Sequence, residues 1–439
     1  MQQNKGKLGF WSIVLLGING IIGSGIFLLP NKAASLIGPL SIGVILFDAL
    51  LVISLTLSFA EAGGMFKKNG GPYLYAKEAF GDFIGFEVGF MKWAISIIAW
   101  AAMAVAFATS LGVVWAPAND PSVKNIIVTI IIVGLGIVNY LGVSISKLLN
   151  NIITIAKLVP LFIFVAIGIF FIKGGNFTPL LPHGTYEAGT FGAAALLIFY
   201  AFTGFESLAV AAEDMKNPEK NIPKAILTVI LICSAFYVLI QTVAVGTLGP
   251  NLAASTAPLA DATKQFIGPV GATIIMAGTL ISIGGINIAS SFVTPRSAVA
   301  LANDGLIPKF IAKTGRFGTP TWAILLTVAF ALPLALSGSF AKLAAISVVS
   351  RFAQYVPTAL AVIVLRKKRP DLERNFKVPF GPVIPVIAII VSIWLVTQAS
   401  SEQIIWGLGG LIVGIPVYFL MKWTSKGESA PSRSNRKVS

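Results

Sequence analysis

Runs of about twenty apolar residues follow one another along nearly the whole chain, separated by short hydrophilic pieces. That is the length an α-helix needs to cross roughly 30 Å of hydrocarbon. Nothing else in the sequence limits the fold so tightly. In lipid, backbone N–H and C=O groups must be paired within the protein, and a continuously apolar run achieves this as a helix. Composition agrees, because only 11% of the 439 residues are charged and 56% are hydrophobic, whereas a soluble domain carries roughly a quarter charged residues. The expected fold class is an all-α polytopic membrane protein of about 12 transmembrane helices.

Spans are expected near residues 9–37, 39–64, 83–115, 123–143, 149–172, 188–212, 224–247, 266–301, 320–337, 340–365, 382–398 and 403–423. The first apolar stretch runs past the h-region length of a cleavable signal peptide and has no small-residue cleavage site. The pieces between spans alternate in charge. The N-terminus, the even-numbered loops with their flanking helix ends, and the C-terminus hold 24 of the 32 Lys and Arg. The odd-numbered loops hold Lys32, Lys124, Lys173, Lys264 and Lys342, and three bases lie deep in spans: Lys92, Lys157 and Arg351. By the positive-inside rule both termini are expected in the cytoplasm, with the chain in the cytoplasmic membrane. The same asymmetry accounts for the net charge of +15. The basic loops, such as Arg366-Lys367-Lys368-Arg369, meet anionic membrane lipids, and no nucleic-acid partner is expected. The Ser-rich basic tail, residues 424–439, is expected to be disordered.

Chemistry-bearing groups are sparse. The chain has one cysteine, Cys233, inside a span, and one histidine, His183, in a loop. These give no disulfide within the chain, no His/Cys metal site and no histidine-dependent nucleophile. No phosphate-binding loop is recognisable, so ATP-driven transport and a nucleotide cofactor are not expected. The loops are also too short for a catalytic constellation or a soluble signalling domain, which argues against an enzyme or a receptor.

Two spans carry sequences that a continuous helix does not favour. The first contains Gly20-Ile21-Ile22-Gly23-Ser24-Gly25-Ile26-Phe27, and the sixth contains Phe202-Thr203-Gly204-Phe205-Glu206-Ser207. Either alone fits close helix packing, since small residues mark helix–helix interfaces. Together they fit a different pattern. They lie five spans apart, an odd number that inverts the second block, as expected of an inverted-repeat transporter with broken helices meeting at the midplane. Half-helix N-termini would offer N–H groups to an anionic group, and exposed carbonyls would hold a cation or an ammonium. A carboxylate on one side and an ammonium on the other describe an α-amino acid.

The motifs resemble those of the amino acid–polyamine–organocation (APC) superfamily, as sodium-independent bacterial permeases carry them. They are Gly23-Ser24-Gly25-Ile26-Phe27, then Ser58-Phe59-Ala60-Glu61-Ala62-Gly63-Gly64 and Gly70-Gly71-Pro72-Tyr73. The sixth-span motif follows, then residues 213–225, then Arg296 through Asp304-Gly305-Leu306-Ile307-Pro308. The resemblance implies a LeuT-like 5+5 inverted repeat with two extra C-terminal helices. Residues 1–365 would form the transport core, with repeats near 9–172 and 188–365, and residues 366–423 the added helices. It also implies that the substrate carboxylate meets the amides of Gly23, Ser24 and Gly25. The ammonium would meet carbonyls around Ile21, Ile22, Tyr200 and Phe202, beside Thr203 and Gly204. Relatives use an aromatic residue at the position of Tyr200 as a lid over substrate; simple packing is the other reading.

Charges inside the membrane are functional hypotheses by default. Lys157, near the middle of the fifth span, matches the position where sodium-independent relatives place an ammonium in lieu of a cation. It is expected to bond first-span carbonyls near Gly17 or Gly20 and eighth-span hydroxyls such as Ser282, either as a proton carrier or as a charged tether. Glu206 either carries protons or bonds the loosened backbone. Asp48 is a weaker candidate, Arg351 a structural anchor, Lys92 a snorkelling residue, and Glu61 a partner for loop bases. The function expected is secondary transport of small or neutral L-amino acids without sodium, by proton symport or exchange. Its rivals are a cationic amino acid or polyamine antiporter and, from another class, a major-facilitator transporter of a different solute.

Overall fold

The computed structural model describes residues 9–66, 70–142, 147–182, 185–210 and 215–428. His183, Glu213, Asp214 and the tail after residue 428 lie outside the described residues. The regular elements described are helices, and their order follows the apolar runs. The first span is split into α1 (Phe10–Ile21) and α2 (Ser24–Leu28), followed closely by α3 (Pro30–Ile37). The second to fifth spans are α4 (Ser41–Met65), then, after the short α5 (Pro72–Phe80), α6 (Asp82–Val114), α7 (Pro121–Tyr140) and α8 (Lys147–Gly168). The sixth span is also split, into α9 (Thr190–Phe199), a 3-10 turn over Tyr200–Phe202, and α10 (Glu206–Val210). Next come α11 (Pro218–Leu248), the short α12 (Pro258–Phe266), α13 (Pro269–Asn303), α14 (Thr321–Leu336), α15 (Phe340–Lys368), α16 (Val383–Thr397) and α17 (Ser401–Glu428).

Among the described residues, eight helical segments are long and apolar enough to cross a membrane, and four shorter apolar helices bring the number to the twelve expected. Two features differ from expectation. The helical pieces α3, α5 and α12 are distinct short elements; each opens on a proline in its first turn, where the missing N–H costs nothing. The last helix also runs on to Glu428 instead of stopping at residue 423, so part of the expected tail is helical.

The core lies between the long helices. α4 packs along α11, and α6 packs between α13 and α15. Around them, α7 and α17 are peripheral, with only 17% and 11% of their most apolar windows buried. Large apolar side chains such as Phe162, Ile412 and Trp423 point outward and are mostly exposed. An outward apolar band of this kind suits lipid, not water.

The ends of α4 and α15 are joined by buried charge. Glu61 is fully buried. It accepts from Arg366 Nε at 2.8 Å and Nη2 at 2.5 Å, and from the Val378 amide at 2.7 Å. Arg374 Nε lies 3.7 Å away. As expected, Glu61 pairs with loop bases; the geometry is a two-pronged Arg–carboxylate fork, which fixes both partners. The fork pins the α15–α16 connection against the end of α4. Replacing Glu61 with Ala leaves two guanidinium groups unpaired. Because Arg366 keeps about a quarter of its side chain exposed, we expect a loss near 3 kcal/mol, the low end for a broken buried pair. Thermal unfolding of the purified variant in detergent checks this; an unchanged midpoint would contradict it.

Candidate functional site at the two interrupted helices

The two breaks touch. α1 ends when Ile22, with extended backbone, donates its last helical N–H to the Ile18 carbonyl at 2.9 Å. Gly23 (φ −129°, ψ −148°) then turns the chain into α2. In the sixth span, Gly204 has φ +115°, a conformation only glycine takes easily. A Cβ at Gly204 would collide with the Gly20 carbonyl, and one at Gly25 would sit 2.7 Å from Ala201 Cα. These glycines let the interrupted segments cross backbone to backbone, so Gly25 has a packing role in any event.

Each break leaves polar backbone to satisfy. The amides of Gly23, Ser24 and Gly25 precede the first possible intrahelical bond of α2, and no side chain caps them. The carbonyl side is different, because the protein has already engaged it. Lys157 Nζ on α8 donates to the carbonyls of Asn19 at 2.6 Å and Ile22 at 2.8 Å. Its side chain is completely buried. The acceptors are first-span carbonyls near Gly20, as expected, and none is that of Gly17 itself. The reason lies in the helix: only the last-turn carbonyls of α1 lack an N–H four residues on, while that of Gly17 is paired within the helix. The expected bond to Ser282 is absent, and the Ser282 hydroxyl, buried on α13, has no protein hydrogen-bond partner.

Tyr237 was not anticipated from sequence. Its hydroxyl, on α11, lies 3.0 Å from the Ala201 carbonyl and 3.3 Å from the Ile21 carbonyl, so one donor spans both breaks. Its ring packs edge-on against Phe202 at 5.1 Å. A tyrosine inside an apolar run carries no local sign of its partner. The only available cue was a buried hydroxyl in an otherwise aliphatic stretch, which needs an acceptor.

Glu206 is committed to the sixth-span break. Its carboxylate accepts from the Gly204 amide at 3.0 Å and from the Tyr355 hydroxyl at 3.0 Å, and it pairs with Arg351 on α15. Phe59, Phe205, Phe199 and Phe352 surround Tyr355. Of the two roles read for Glu206, bonding the loosened backbone is the one the geometry displays, with Arg351 as its anchor. Thr203 also turns inward, donating from its hydroxyl to the Tyr200 carbonyl at 2.8 Å.

Among the described residues, the Ser24 and Tyr200 hydroxyls face each other and bond to no other group, and the Asn287 side-chain oxygen has no partner. Tyr200 packs edge-on against Phe340 at 5.6 Å. Gly23 faces Ile286 and Met103, whose side chains lie 3.1 and 3.3 Å from where its Cβ would be. The region therefore combines amides, hydroxyls and an apolar wall. Asp48 stands apart on α4, fully buried, with neither carboxyl oxygen bonded. Among the described residues no cluster of His, Cys, Asp or Glu is suited to a metal ion.

The chain is similar to known transport proteins over nearly its whole length. A family model described as amino acid permease matches residues 8–421. The chain is 32% identical to the branched-chain amino acid permease BcaP of Bacillus subtilis, covering 95% of this chain and 93% of that one. It is 30% identical to the serine/threonine exchanger SteT of the same organism, over 95% of this chain and 97% of the relative. It is 29% identical to the methylthioribose transporter of that organism, over 95% of each chain.

The ion pair at the sixth-span break makes a separable prediction. Glu206→Gln leaves Arg351 buried and unpaired, which should destabilise the protein by about 3–5 kcal/mol. Adding Arg351→Met removes the stranded charge and should restore much of that loss. Thermal unfolding of the two variants decides; equal midpoints for single and double mutants would mean that the pair is not coupled.

Proposed function

The chain belongs to the amino acid permease family, and we propose that it is a sodium-independent secondary transporter of small or neutral L-amino acids. The observation that carries this reading is the chemistry at Ile22–Gly23. One side of the break offers the amides of Gly23, Ser24 and Gly25, next to the Ser24 and Tyr200 hydroxyls, which face each other and bond to no other described group. A substrate carboxylate fits there. The other side holds the carbonyls of Ile21, Tyr200 and Phe202; those of Ile21 and Tyr200 already accept from Tyr237 and Thr203, so an ammonium there would take a second lone pair or displace a hydroxyl. The Ile22 carbonyl already receives Lys157. Family membership alone leaves the substrate class open, since one relative is named for methylthioribose, so the geometry matters.

Met103 and Ile286 beside Gly23 favour an uncharged substrate side chain, and the names of the branched-chain permease and the serine/threonine exchanger point the same way. A cationic amino acid or polyamine substrate would require an anionic subsite. Glu206 is already paired with Arg351 and bonded by Gly204 and Tyr355, which counts against it in that role. The Lys157 ammonium supports sodium independence, because it places a fixed positive charge on first-span carbonyls. Translocation would follow alternating access between the two halves of a 5+5 inverted repeat, with both termini cytoplasmic as the charge asymmetry indicates. Coupling would be exchange or proton symport.

Two measurements in proteoliposomes test the proposal. Counterflow of radiolabelled amino acids, with and without a pH gradient, should show uptake of alanine, serine or a branched-chain amino acid in choline as in sodium. Competition by arginine, ornithine or putrescine should be weak; strong competition would favour the cationic reading, and strict sodium dependence would contradict the role of Lys157. Lys157→Ala removes two charge-assisted bonds, so uptake should fall by about tenfold or more. Uptake unchanged in a stable variant would remove Lys157 from the mechanism.

A further inference from the structure

A cleft with a mostly apolar wall and a few polar side chains lies at the far end of α13 from Ser282. It has a volume of about 440 Å³ and sits between the ends of α7 and α13 and the connection from α13 to α14. Its polar lining includes Asn139, Arg296, Asn303, Thr314 and Thr319. The size is within the usual range of small-ligand sites, about 300–1,000 Å³. Two of the lining side chains are fixed by bonds to neighbouring helices: Asn139 donates to the Ser291 carbonyl at 2.8 Å, and Thr319 to the Tyr140 carbonyl at 2.7 Å.

Arg296 is the exception. It is exposed, and its Nη1 donates to the Phe292 carbonyl of its own helix at 2.7 Å, with the guanidinium 5.8 Å from the Phe292 ring. Among the described residues it has no carboxylate partner, so most of its donor fork faces the cleft unpaired. Such a fork matches the oxygens of a phosphate group. The nearby connection adds Lys313 and Arg316 against a single acid, Asp304.

Depth narrows the ligand further. α13 has 35 residues, about 52 Å at 1.5 Å per residue, and so extends well beyond the roughly 30 Å of a hydrocarbon core. Arg296 lies within the last two turns of it, about 10 Å from its end. Beside the cleft, Phe310 and Trp322 form an edge-on pair with 5.8 Å between centroids, and they are 44% and 50% exposed. Half-exposed aromatics at a helix end mark the headgroup level of a bilayer. We propose that this cleft binds the phosphate of an anionic phospholipid headgroup, with Arg296 as its principal contact. Basic pockets between transmembrane helices are suited to that chemistry.

The test uses the full-length protein, purified and titrated with phosphatidylglycerol or phosphatidylcholine, with bound lipid read by native mass spectrometry. Wild type should retain phosphatidylglycerol in preference, and Arg296→Gln should weaken that binding about tenfold, the size of one lost charge-assisted contact. Arg296→Lys, which keeps the charge without the fork, should fall between them. Lys377→Gln is the matched control, an exposed residue on another basic loop. An equal loss in Arg296→Gln and Lys377→Gln would show diffuse surface attraction and overturn the proposal. So would Arg296-dependent thermal stabilisation by millimolar inorganic phosphate in phosphatidylcholine nanodiscs, because the ligand would then be a free anion.

Discussion

An interrupted helix inside a bilayer must find partners for the backbone groups it frees, since each unpaired group costs several kcal/mol in hydrocarbon. The architecture around the candidate site follows from that constraint. At the end of α1 the freed carbonyls of Asn19 and Ile22 take the Lys157 ammonium. The next freed carbonyl, of Ile21, shares the Tyr237 hydroxyl with Ala201 in the facing break. In the sixth span the Gly204 amide is held by the Glu206 carboxylate. The amides that begin α2 are ones for which the described residues supply no acceptor. One polarity of backbone is thus satisfied from within, and the other remains available to a ligand with acceptor oxygens.

Charge is handled differently at the two breaks. Glu206 has a counter-ion, Arg351, and a hydroxyl donor, Tyr355. Lys157 has carbonyl dipoles at the C-terminal end of a helix, where a positive charge is favoured by the local field. Carbonyls satisfy an ammonium as they would satisfy a cation. Two carbonyl acceptors explain how a lysine can be completely buried without a carboxylate beside it; a charged tether and a proton carrier both fit that geometry.

Much of this was legible in the sequence, for physical reasons that vary by residue. The spans were readable because lipid demands long apolar helices, and the breaks because Gly23, Gly25 and Gly204 stand where a helix former would be expected. Lys157 was readable because a charge in a span needs an explanation. The acceptors of Lys157 were harder. Which carbonyls near Gly20 are free depends on the residue at which α1 stops, and the structure singles out Asn19 and Ile22. The Ser282 hydroxyl is buried as expected but unbonded, because sequence gives the depth of a hydroxyl and not its distance from a neighbour. Tyr237 was missed because its two acceptors are 36 and 216 residues away, and nothing local encodes them.

The long-range polar bonds also sort the helices into groups. Tyr237 joins α11 to the first and sixth spans, and Gln241 on α11 donates to the Pro30 carbonyl and to Ser41 at the start of α4. The first, second, sixth and seventh spans are thereby connected. Elsewhere, Trp93 donates to Thr327, Asn287 to the Met103 carbonyl, and Asn139 to the Ser291 carbonyl, which connects the third, fourth, eighth and ninth. The bonds that leave the first group run to the fifth span through Lys157 and to the tenth through Glu206–Arg351 and Glu61–Arg366. In the transport cycle proposed above, motion of the first group against the fifth and tenth spans would load these contacts. Lys157 and Glu206 each hold a break and also sit on that seam, so the groups that complete the interrupted backbone are the ones through which the state of the site would reach the rest of the bundle.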